Sequence, residues 1–140
     1  MNASIDSVIN KINQIDPPSG RKRTLPDDEL IEKYEKMTGF LFSNDYKKIL
    51  KTVSNAFVGT LSLLTLESGK KDVYGELKTT CDEAHALGVP KAWLPICEDN
   101  GDYYCLTPNG TVRFWDQNGS SDETWPNLAT WVQDVWLEDA

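Results

Sequence analysis

"WLPICEDNGDYYCL", Trp93 to Leu106, sets two apolar runs on either side of an acidic, turn-forming centre, Glu98-Asp99-Asn100-Gly101-Asp102. An Asn-Gly step between strand-formers is a strong hairpin signal, because tight hairpin turns need residues that tolerate left-handed backbone. Trp93 to Cys97 is therefore one strand and Asp102 to Leu106 the next. A calcium loop fails on spacing. With Gly101 as the EF-hand glycine, the first ligand position falls on Ile96 and the last on Thr107, and neither can serve. The acids around the turn are read mainly as solvated turn residues.

Downstream, "TPNG" repeats the hairpin signal at Asn109-Gly110 and leads to a third strand, Thr111 to Asp116, which alternates Val112 and Phe114 with Arg113 and Trp115. "DQNGSSDET" reads as a polar loop. A last helix follows Pro126, with Leu128, Trp131, Val132, Val135 and Trp136 on one face.

Upstream, "VYGELKTTCDEAHALGVP" reads as a helix closing at Gly88, its buried stripe being Leu77, Cys81, Ala84 and Leu87. "AFVGTLSLLTL", Ala56 to Leu66, reads as a strand. Two helices precede it. One is opened by Asp27 or Asp28, carries Leu30, Ile31, Tyr34 and Met37, and stops at Gly39. The other is capped by Ser43 and turns Tyr46, Ile49, Leu50 and Val53 inward. A short helix over Ala3 to Gln14 comes first, followed by the proline-rich, basic "DPPSGRKRTLP". Arg21-Lys22-Arg23 is too short a run for a nucleic-acid patch and reads as solvated linker. The organisation expected is an N-terminal helix and basic linker over 1–25, then one α+β domain over 26–140. Its largely antiparallel sheet is a hairpin meander flanked by helices.

The 140 residues suffice for one core without staples. No run is apolar and long enough to span a bilayer, and the N-terminus lacks a secretory pattern, so a cytoplasmic location is expected. Three cysteines, an odd number, fit reduced and packed thiols. The net charge of −8 is unevenly placed. Residues 1–91 balance 13 bases with 13 acids, whereas residues 92–140 set nine acids against Arg113 alone. That field repels phosphates and attracts a basic protein. It also serves plain solubility.

Few residues offer chemistry. Cys81 and His85, four apart on a helix, are the one thiol–imidazole pair, and no orienting third group or oxyanion nest accompanies them. Those two with Cys97 and Cys105 include no C-x-x-C knuckle, so no zinc site is assigned. Phosphate-binding glycine motifs are absent. The expectation is a non-enzyme with no catalytic residues, metal or cofactor. Trp93, Trp131 and Trp136 fit core patterns. Trp115 and Trp125 are the two that can anchor a partner, although a helix over each face of the sheet would bury Trp115.

In order, "LIEKYEKMTGFLFSNDYKKIL", "VYGEL", "GVPKAWLPICEDNGDYYCL", "NGTVRFW" and "WPNLATWVQDV" resemble the SUKH superfamily, in its Smi/Knr-like branch. The match runs from about Asp28 to Trp136, and its most specific part is Gly88-Val89-Pro90, Trp93-Leu94-Pro95-Ile96 and Gly101 to Cys105. One departure is Phe42-Ser43, where the family usually has Leu-Pro. The resemblance implies an α+β fold and a non-enzymatic role. Bacterial members include immunity proteins that block polymorphic or contact-dependent toxins, often nucleases, and fungal relatives are regulatory scaffolds. The resemblance carries over no binding residues. Combined with the charge map, it makes Glu98, Asp99, Asp116, Asp122 and Glu123, with Trp115 and Trp125, the residues expected to meet a basic toxin domain. Neither nucleic acid nor membrane is expected as a partner, and oligomeric state stays open.

Overall fold

The meander forms, and it carries one strand more than the residue pattern predicts. In the computed structural model, which describes residues 4–20, 25–56, 58–66 and 75–138, the sheet has four antiparallel strands in sequence order. They are β1 (Leu94–Asp99), β2 (Asp102–Leu106), β3 (Val112–Asp116) and β4 (Gly119–Trp125). Asn100 and Gly101 take the left-handed turn conformation, at φ 53° and 88°. The fourth strand corrects the loop expected after Asp116. Its residues are polar and poor in strand-formers, so side-chain pattern hides it. Pairing to the β3 backbone, Val112 with Trp125 and Asp116 with Gly119, holds it in place. Asn118-Gly119 was the available signal.

The described residues add five α-helices, α1 (Ile5–Ile15), α2 (Asp28–Thr38), α3 (Asn44–Val53), α4 (Leu77–Leu87) and α5 (Leu128–Trp131), and a 3-10 turn over Pro18–Gly20. Side chains of Ser4, Asp27, Ser43, Glu76 and Asn127 each accept a first-turn amide at their N-termini. α5 opens into a π turn over Val132–Trp136. That widening buries both Trp131 and Trp136, five residues apart. It also lets the Trp136 indole N–H donate to the Leu61 carbonyl at 2.9 Å.

Residues opposite one another across a sheet share a face. One face carries Leu94, Cys97, Tyr104, Leu106 and Val112 into the main core, where α1, α2, α3 and α5 supply Val8, Ile12, Tyr34, Ile49, Leu50 and Trp131. α1 thus belongs to the same core as the residues after 26. The other face carries Tyr103, Cys105 and Trp115, packed against Ala84 and Val89 at the end of α4.

Two further expectations change. The segment expected as a strand over Ala56 to Leu66 makes only isolated bridges, Val58 with Leu61, Leu63 with Cys97 and Thr65 with Glu76. Consecutive Leu63 and Leu64 are both buried, which a pleated strand with one covered face does not allow. Leu87, expected in the core, is 53% exposed. Gly88 turns the chain so that the Val89 N–H donates back to the Ala84 carbonyl at 3.1 Å. Val89 then fills the apolar place beyond the helix end. The basic run at Arg21-Lys22-Arg23 and the start expected for the fourth helix, Val73-Tyr74, lie outside the described residues.

Candidate partner-binding surface

The catalytic candidates resolve into packing. The three cysteines are free and buried. Burial pushes the Cys81 thiol up to about 11, with Asp82 adding to it, and the Cys97 thiol up to about 12. Such thiols stay protonated at neutral pH and are poor nucleophiles. His85 Nε2 lies 2.9 Å from the Trp93 carbonyl, an acceptor only, so Nε2 carries the proton. Its Nδ1 faces Cys81 Sγ at 3.8 Å. The pair ties α4 to the approach of β1. Cys97 pairs with Tyr104, and Cys105 with Pro95, so the two strand cysteines are not cross-strand partners. Among the described residues, no three His, Cys, Asp or Glu side chains converge as metal ligands.

Glu76 is a buried polar residue that the residue pattern does not single out. Its carboxylate is fully buried, and it accepts from Tyr34 Oη, from the Lys78 amide at 3.0 Å and from the Thr79 amide at 2.8 Å. Burial pushes this carboxyl up, but the hydrogen bonds from Tyr34, Thr79 and Lys78 outweigh it and hold the pKa below 4.5. The residue pattern runs the helix through Glu76 from Val73, so its capping role is not read there. Nor is its bond to a tyrosine 42 residues earlier.

The acidic third behaves differently. Asp99 and Asp102 sit directly opposite each other across the first hairpin. The β2–β3 register, continued one step past Tyr103 and Trp115, sets Asp102 beside Asp116. The three carboxylates form a row at one end of the main-core face, just beyond Tyr104 and Phe114. Burial raises the Tyr104 hydroxyl to about 12, and Asp99, Glu123 and Asp102 add to the shift, so these charges gather at its hydroxyl. Asp122 and Glu123 lie on β4 where its register against β3 slips, and both are exposed. Lysines on the helices meet acids, as in Lys51–Asp28 at 2.8 Å and Lys78–Asp82 at 2.7 Å. Glu98, Asp99, Asp102, Asp116 and Asp122 have no such partner among the described residues.

The expected surface set is thereby divided. Asp99, Asp116 and Glu123 share one region with Asp102, which the sequence reading left out. Glu98 pairs with Tyr103 and so lies on the opposite face, toward α4. Trp115 is 5% exposed and stacks near Tyr103, with centroids 6.0 Å apart. It offers no ring to a partner, because α4 covers its face. Trp125 is half-buried, edge-on to Tyr104 at 5.7 Å, which leaves part of it at the surface.

These features sit on a single α+β domain, and a known structure shares that fold. The chain belongs to the SMI1-KNR4 cell-wall family, whose SUKH_5 model matches residues 5–137 and so includes α1. It is similar to the crystal structure of a protein from Pseudomonas syringae pv. tomato, at 32% identity and a TM-score of 0.85. The alignment covers 95% of this chain and 98% of that one. Comparison with curated proteins gives no match.

Proposed function

We propose that this protein is an immunity protein, which neutralises a toxin domain by seating the acidic sheet end in a basic cleft. The reading is carried by one observation. Asp99, Asp102 and Asp116 line up on one face with no cation among the described residues to balance them, although Asp99 and Asp102 repel across their hairpin. Within the chain the row accepts turn hydrogen bonds, such as the Asn118 amide to Asp116 at 2.7 Å, but meets no positive charge among the described residues, whereas a toxin that handles nucleic acid needs a cationic cleft. A carboxylate row can occupy that cleft in place of phosphates. Long-range attraction then makes capture fast and salt-sensitive. Family membership supports a binding role of this kind, and a regulatory scaffold is the other role the family offers.

The test is calorimetric titration against any toxin domain found encoded beside this gene, at low and moderate salt. Nanomolar affinity that weakens with salt is expected. Reversing Asp99, Asp102 and Asp116 together should slow association by on the order of tenfold to a hundredfold. Unchanged affinity and salt dependence in that variant would sink the acidic-cleft reading. Failure of the unaltered protein to bind a folded toxin would move the assignment to the scaffold.

A further inference from the structure

The opposite end of the sheet is built for contact of another kind. Leu41, in the link between α2 and α3, is 93% exposed, the most exposed large apolar side chain among the described residues. It stands on the rim of a groove of about 670 Å³ between that link and the β2–β3 turn, lined by Phe40, Leu94, Leu106 and Pro108. A smaller hollow of about 360 Å³ continues past Ser43, Leu106 and Gly110, residues common to both. Lys91 is the one charged residue of the first groove, and Asp45 is the one in the second. Both are exposed, and neither has an ion-pair partner among the described residues.

One end of the molecule therefore carries an apolar plug, an apolar groove, one free cation and one free anion. A surface that holds both halves of each contact is complementary to itself, which is the requirement of a twofold interface. We propose that this end binds a second copy of the chain, with each copy's Leu41 in the other's groove and each Lys91 facing the other's Asp45. Two chains of net charge −8 can approach here because the unpaired carboxylates of Asp99, Asp102 and Asp116 point away, at the far end of the sheet. The acidic ends stay free, so a pair presents two of them outward. The contact area is modest, and association is correspondingly weak and concentration-dependent.

Sedimentation velocity of the full chain, from micromolar to millimolar concentration, tests this. A monomer–dimer equilibrium is expected. Leu41→Glu should weaken it at least tenfold without lowering the thermal unfolding midpoint, since Leu41 packs on nothing in the monomer. Lys91→Glu and Asp45→Lys should each weaken it, and the two together should restore it. A chain that stays monomeric throughout, or a dimer indifferent to Leu41→Glu, overturns the proposal. So does a monomer whose Leu41 methyl and Gly110 amide resonances shift when a leucine-rich peptide is added, which would give the groove to a different protein. No toxin enters the experiment, so its failure leaves the acidic-end reading standing.

Discussion

Glu76 and the carboxylates at the far end of the sheet are the same chemical group put to opposite uses. Glu76 is fully buried and satisfied by three donors, so it joins α2 to α4 and caps the latter. Asp99, Asp102 and Asp116 are stacked across strands with no cation near them among the described residues. One site is spent on folding. The other sets like charges against one another, and it is this field that the proposed function uses. A buried carboxylate held by donors reports architecture, whereas a carboxylate row without a cation among the described residues is what the proposed role exploits.

Breaking the first half of the contrast should have the largest effect. Glu76→Ala removes the acceptor of the bond from Tyr34 Oη and of two helix amides, and should lower stability by about 2–4 kcal/mol in urea unfolding. A loss under 1 kcal/mol would mean that water replaces the carboxylate, against its burial. The same group predicts a pH dependence. Its folded pKa is depressed, so its contribution is complete above the ordinary value of 4.5 and drains away as pH falls through the lower folded value. Glu76→Gln should flatten the acid limb of the stability profile. An unchanged limb would place the acid sensitivity elsewhere.

Trp136→Phe keeps most of the ring packing but removes the bond to the Leu61 carbonyl, for about 1 kcal/mol. It tests whether the bridged segment before α4 depends on the π turn. At the acidic end the sign should reverse. Asp99→Asn and Asp102→Asn should each raise stability by about 0.2–1 kcal/mol through relief of cross-strand repulsion, while weakening capture of a basic partner. Destabilisation by either would erase the distinction between the two sites. The smallest effect is spectroscopic. The Tyr104 hydroxyl, raised to about 12 by burial and then by Asp99, Glu123 and Asp102, should titrate lower in the Asp99→Asn, Asp102→Asn double variant. Ultraviolet titration reads this directly.

The residue pattern alone determined the hairpin at Asn100-Gly101, a cap at Asp27 or Asp28 and one at Ser43, the inward stripe of α3, the fold class and the acidic bias of the last third. Each follows from neighbours in the chain, through turn stereochemistry, capping or periodicity, and local sequence carries that information. Tertiary structure decided the rest. β4 exists because β3 offers it a backbone ladder, not because Gly119 to Glu123 favour a strand. Ala56 to Leu66 fails to become a strand because the core takes consecutive side chains from it. α4 buries Trp115, and the bulge between Pro95 and Cys97 decides that Asp99, not Glu98, shares the main-core face. Glu76 met Tyr34, and Asp116 came beside Asp102, through contacts between segments apart in the chain, which no local pattern encodes.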